Sequence, residues 1–149
     1  MQITRKGVGR MLTYENIVEN LFKRFPELKQ RYAEDIKWIQ DTFANKLSKG
    51  QTVYFDKCFC DYIGRNIVLQ PENLCSLNQI FAFLEEMASS DDVDVQDLLQ
   101  VTVLEYLRSW FQLQSRAQQL MGPNTLRLFN VVKQYLDEPQ QEDVLYFEN

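Results

Sequence analysis

Three cysteines, Cys58, Cys60 and Cys75, and the carboxylates Glu85, Glu86 and Glu105 are the side chains of this chain with the widest chemical range. The sequence holds no histidine. That removes every Ser–His or Cys–His nucleophile pair and the imidazole-bearing zinc and di-iron motifs. Cys58 and Cys60 stand one residue apart, short of the roughly two to four residues between thiolates in structural zinc sites. All three cysteines therefore read as small apolar packing groups. The run Asp92-Val93-Asp94-Val95-Gln96 imitates the start of a calcium loop. The imitation fails at Asp97, where a glycine is needed, and at Val103, where a bidentate glutamate is needed. Asp91, Asp92 and Asp94 read instead as acids that cap a helix start. Gly7-Val8-Gly9 lacks the Lys-Ser/Thr pair of a phosphate loop and comes after no strand. Glu85 and Glu86 are adjacent, so on a helix they point roughly 100° apart and cannot converge. Glu105 stands out because Leu98 and Val101 flank it on one face, and a half-buried carboxylate calls for a cation or a hydrogen-bond donor. No residue is assigned to catalysis, to a cofactor or to a metal.

The elements that must position these groups are all helical. Thr13 suits the N-cap of a first helix over Tyr14–Phe25, with Ile17, Val18, Leu21, Phe22 and Phe25 on one face and Lys23 and Arg24 at its C-terminal end. Pro26 opens a second helix, expected to run unbroken to Ser48, roughly 34 Å at 1.5 Å per residue. Its apolar seam is Leu28, Tyr32, Ile36, Ile39, Phe43 and Leu47. Phe55, Cys58, Phe59, Tyr62 and Ile63 have helical spacing in a segment that Gly64 should end, with a loop after it over 66–70. The β-prone run Val53–Phe55 leaves a short extended piece open. Pro71 then starts a helix with Leu74, Leu77, Ile80, Phe81, Leu84 and Met87 inward and Phe83 off the stripe. After the turn 89–92, a helix from Val93 to Trp110 carries Val95, Leu99, Val103, Tyr106, Leu107 and Trp110 on a broad face. Leu98 and Val101 sit opposite, among Asp94, Asp97 and Glu105. Two apolar surfaces predict neighbours on both sides and a central, buried position. A helix over 111–121 stops at Gly122, and Pro123 starts the last, with Leu126, Phe129, Val132 and Leu136 inward.

The expected fold is all-α: six to seven helices in an antiparallel bundle or a HEAT/armadillo-like two-layer stack. No fixed-period repeat supports the stack. The expected organisation is a flexible basic arm over 1–11, one helical domain over 12–138 and an acidic tail over 139–149. Composition agrees with one packed domain: 149 residues, 45% hydrophobic and 13% aromatic, with only 5 Gly and 4 Pro. The net charge of −5 is uneven. The last residues hold Asp137, Glu138, Glu142, Asp143 and Glu148 with no Lys or Arg, and the preceding residues balance. Val144, Leu145, Tyr146 and Phe147 lie within that acidic tail, either docking on the bundle or forming a short linear interaction element. Lys23, Arg24, Lys29 and Arg31 bracket one helix junction and suit helix ends and solvated faces. Absent a basic–aromatic platform, no nucleic acid is expected. Absent a long apolar run or signal peptide, no membrane is expected. Unpaired cysteines without a secretion signal point to the cytoplasm.

The stretches FLEEMASSDDVDVQDLLQVTVLEYL, LTYENIVENLFKRFPEL and MGPNTLRLF resemble a group of small, uncharacterised, all-helical bacterial proteins associated with toxin-immunity systems. The resemblance spans most of residues 12–137, is weakest between Gln51 and Leu69, and carries over no functional residue. It implies an immunity protein. Negative charge, the lack of catalytic groups and the abundant aromatics lead to the expectation of a non-enzymatic cytoplasmic protein-binding module, which as an immunity protein would neutralise a cognate, basic toxin domain. The alternatives are a structural or regulatory homo-oligomer built through the face of 26–48, and an enzyme working by carboxylate or thiol alone.

Overall fold

A computed structural model describes residues 11–44, 46, 49–135 and 145–147. Its element order is wholly helical: α1 Ile17–Arg24, α2 Glu27–Arg31, α3 Ala33–Thr42, α4 51–69, α5 Leu74–Ala88, α6 93–109, α7 Phe111–Leu120 and α8 Pro123–Tyr135. The all-α expectation holds, with eight helices among the described residues rather than six or seven. Gly7–Gly9, Leu47, Leu136 and the acids of 137–143 lie outside the described residues.

Local chemistry explains most boundaries. Ahead of α1, the Asn16 N–H donates to Thr13 Oγ1 at 3.2 Å and the Thr13 N–H donates to Asn16 Oδ1 at 2.8 Å. This is the reciprocal capping arrangement, and it holds 14–16 as a turn, so regular helix starts at Ile17 rather than Tyr14. The helix expected to run unbroken from Pro26 breaks at Tyr32, whose φ of −111° and ψ of 32° leave the helical region. The break aims Tyr32 at α4, where its hydroxyl donates to Asp61 Oδ2 at 2.6 Å. The chain leaves α3 at Phe43, and Ala44 takes a left-handed φ of 58°.

The segment 51–69 corrects the expectation most. Neither an extended piece nor a loop forms there, and α4 is one helix in three parts. Gln51–Tyr54 and Cys60–Leu69 are α-helical and Phe55–Phe59 is π-helical. Gly64 does not end it. A Cβ at Gly64 would lie 2.6 Å from Phe147 Cζ and would also strike the Tyr106 hydroxyl. The glycine serves close approach, not chain reversal. Pro71 does not open α5 either: Asn73 caps it, accepting from the Ser76 N–H at 3.2 Å, and Leu74 is exposed instead of inward.

The core joins α4, α5 and α6. α4 packs on α1, α3, α5, α6 and α7, and α6 packs on α4, α5, α7 and α8. The central position expected for 93–110 is correct, but α4 shares it. Phe59 sits at the centre of an aromatic cluster, with ring centroids 5.4 Å from Phe25, 5.5 Å from Phe55 and 5.8 Å from Phe83. Phe83, off the α5 stripe, is fully buried because it meets Phe25 at the end of α1 and Phe59 on α4. The Tyr54 hydroxyl is buried without a partner among the described residues. Such an orphan costs about 1–3 kcal/mol, which the burial of its ring against Phe22 helps offset.

Two polar clamps close the ends. Ser90 Oγ donates to Leu12 O at 2.7 Å, and Asp92 accepts the Tyr14 N–H at 2.8 Å. The other Asp92 oxygen caps α6 through the Asp94 N–H at 3.0 Å. This confirms the acid run as a helix start and adds its hold on the N-terminal segment. Glu85, on α5, caps α8 from outside. It accepts the Thr125 N–H at 2.9 Å, the Thr125 hydroxyl at 2.8 Å and the Asn124 N–H at 3.0 Å. Burial raises the Glu85 pKa, but these bonds outweigh it and hold the carboxyl below its ordinary range.

These contacts set two stability outcomes. Phe83→Ala removes a fully buried ring and should cost about 3–5 kcal/mol in urea denaturation, whereas Phe111→Ser, at a 70% exposed position, should change stability by no more than about 0.5 kcal/mol. Glu85→Ala removes the α8 cap and should cost about 1–2 kcal/mol at neutral pH. A depressed carboxyl pKa stabilises above the unfolded-state value, about 4.3, and that stabilisation fades as pH falls through the folded value. The gap between wild type and Glu85→Ala should therefore narrow on acidification; a constant gap from neutral pH to below about 4 would contradict the assignment.

Candidate functional site

The π-helical parts of α4 and α6 pack against each other, Phe55–Phe59 against Leu99–Leu104. Cys60, one residue past the first, directs its thiol to Thr102 O at 3.7 Å. π-turns of this kind are frequent at functional sites. A wider turn also rotates the residues beyond it about the helix axis. Leu98, before the π segment, is buried, while Val101, inside it, is 61% exposed. The expected pairing of Leu98 and Val101 on one packed surface is therefore incorrect: Leu98 packs and Val101 faces outward.

Val101 and Glu105 line two adjoining depressions. The first, of about 310 Å³, runs between α4 and α6 and includes Thr52, Asp56, Tyr106 and Trp110. The second, of about 150 Å³, lies between α6 and α8 and is closed by Val131, Val132 and Tyr135. Tyr135 is 76% exposed. Neither Asp56 nor Glu105 forms an ion pair among the described residues. The result is a shallow apolar strip edged by two carboxylates with no ion-paired cation among the described residues. Sequence reasoning singled out Glu105 and Val101 but missed Asp56, Trp110 as a groove wall, and Tyr135. The available signal for Tyr135 was its position off the Phe129–Val132 stripe at the end of α8.

The other singled-out residues have structural work. Glu85 and Glu86 diverge as expected. Glu86 takes both its bonds from Arg24 Nη2, at 2.7 and 2.8 Å, while the Arg24 guanidinium lies 5.2 Å from the Phe83 ring. Lys23 pairs with Glu19 at 3.2 Å and Lys29 lies over Phe22. A polar groove of about 370 Å³ holds Arg31, Tyr62, Arg65, Asn66 and Ser76. Several of its polar groups are satisfied by neighbouring side chains and backbone. Arg65 donates to Asp61 at 2.7 Å, Ser76 donates to Asn66 at 2.8 Å, and Tyr62 donates to Glu27.

The cysteines do not converge. Cys58 and Cys60 are buried, and Cys75 is exposed on α5 beside Gln79. Among the described residues no group of three His, Cys, Asp or Glu is placed to hold a metal. Burial pushes the Cys58 thiol up to about 12, and burial likewise raises Cys60. Neither is a thiolate at neutral pH. A thiol-labelling reagent should therefore modify Cys75 alone in the native protein and all three cysteines in urea. Native labelling of Cys58 or Cys60 at the rate of Cys75 would contradict their placement.

No helix among the described residues is long and apolar enough to cross a membrane. No curated protein and no solved structure matches this chain. A family model described as a domain of unknown function, DUF7674, matches residues 18–137, from the first turn of α1 to just past the end of α8. The match covers most of the chain and all of its buried core but Leu12 and Ile17, so the chain belongs to the DUF7674 family.

Proposed function

We propose that the chain is a non-enzymatic, cytoplasmic protein-binding module, an immunity protein that neutralises a toxin through the face formed by α6 and α8. One observation carries this: exposed Val101 and Tyr135 lie on depressions edged by Asp56 and Glu105, and neither acid is paired to a cation among the described residues. An apolar centre with a charged rim is the usual anatomy of a transient interface. Acidic rims select basic partners and speed their encounter, and the five acids from Asp137 onward make the chain as a whole negative. Further support comes from the chemistry the chain lacks. It has no histidine, and its two buried thiols are held protonated. Three free cysteines suit a reducing compartment.

The test is affinity capture from the source cells with wild type and with the double variant Val101→Glu, Glu105→Lys. Both positions face solvent or half face it, so the helical circular dichroism signal should not change. Wild type should retain a basic protein whose binding falls with added salt, and the double variant should lose it by at least about tenfold. Equal retention of the same proteins by both chains would sink the proposal.

A further inference from the structure

Close to the end of the chain, three residues are seated on the helical domain. The Leu145 N–H donates to Gln112 Oε1 on α7, and the Leu145 side chain packs against the core. Tyr146 points away and is 84% exposed. Phe147 turns back, its ring 5.4 Å from the Arg65 guanidinium and pressed onto the bare backbone of α4 at Gly64. In–out–in alternation is that of an extended segment. Gly64 is the decisive residue. Glycine is a poor choice inside a helix, and here a Cβ would lie 2.6 Å from Phe147 Cζ. The Tyr106 hydroxyl also lies close to Gly64. Gln112, Arg65, Gly64 and Tyr106 thus make a slot with one acceptor for a backbone N–H and one aromatic seat.

We infer that this slot between α4 and α7 is a peptide-recognition site for an extended Leu-x-Phe segment, filled in cis by the chain's own Leu145-Tyr146-Phe147, which acts as a detachable latch. The seat uses contacts that any extended peptide of this pattern can supply: one backbone N–H, one aliphatic side chain and one aromatic ring. Non-covalent contacts of these kinds can exchange for a competitor of the same chemistry. The slot shares Tyr106 with the depression between α4 and α6, but the inference does not depend on the function proposed for the α6–α8 face.

The probe is a fluorescein-labelled synthetic peptide of residues 140–149, titrated by anisotropy against the full-length chain. Phe147→Ala in the full chain empties the aromatic seat, so the peptide should bind this variant at least about tenfold more tightly than wild type. A peptide carrying Phe147→Ala should not bind, a peptide carrying Tyr146→Ala should bind unchanged, and Gln112→Ala added to the variant chain should weaken binding several-fold. In wild type, hydrogen exchange at the Leu145 amide should be slower than in Phe147→Ala. Equal peptide binding by the two chains, no binding to either, or no difference in exchange would overturn the latch. Light scattering showing a wild-type dimer that dissociates on Phe147→Ala would overturn the cis seating in favour of exchange between copies.

Discussion

Burial of Phe59 is the constraint on which the rest of this fold depends. Its ring touches Phe25 at the end of α1, Phe55 and Tyr62 on its own helix, and Phe83 on α5. A buried phenylalanine contributes about 1.5–3 kcal/mol by transfer from water, and each well-oriented aromatic pair adds about 0.5–1.5 kcal/mol. Among the described residues no other aromatic side chain has as many as the four ring partners of Phe59, and one of them, Phe25, links the end of α1 to rings of both α4 and α5. With Phe59 in place, α4 is forced into the middle of the molecule. The remaining helices then have defined partners: α1 and α3 on one side of it, α5, α6 and α7 on the others.

The two central helices, α4 and α6, must each satisfy several neighbours. α4 and α6 meet this demand with one π-helical stretch each, placed face to face. The wider turn lets Phe55, Cys58 and Phe59 bury together, and likewise Leu99, Thr102, Val103 and Leu104. It also turns Asp56 and Val101 outward beside one another, on the walls of the same groove. The candidate interaction face is thus a by-product of how the centre packs. The same logic explains Gly64: α4 gives up about 1 kcal/mol of helix propensity relative to alanine so that Tyr106 and Phe147 can approach its backbone.

Much of this was legible in the residues. The core face of α1, most of that of α5, the Phe129 and Val132 part of that of α8, the capping role of Thr13 and Asp92, and the central place of α6 stem from 3.6-residue periodicity and short polar side chains at helix starts. The segment 51–69 was not legible, because a glycine mid-helix and a β-prone run mimic a stop and a strand. The break at Tyr32 was hidden because Leu28, Tyr32, Ile36 and Ile39 keep one seam across it. Only the Asp61 carboxylate on another helix gives Tyr32 a reason to depart from helical geometry. Of the candidate site, Glu105 and Val101 were visible as an acid and an apolar group off the main stripe, whereas Asp56 and Tyr135 gave no sign of being near them.

The chain by itself determined its class, its helix faces, the exclusion of imidazole chemistry and the concentration of negative charge beyond Asp137. These depend on residue type and on separations of three or four positions, which any helix converts into a face. Tertiary structure alone decided that Glu85 caps α8, that Phe83 is core and Val101 is surface, and that Phe147 rests on Gly64. Each of those outcomes is a contact between residues far apart in sequence. What holds them is the geometry of packing around Phe59, which local periodicity does not encode.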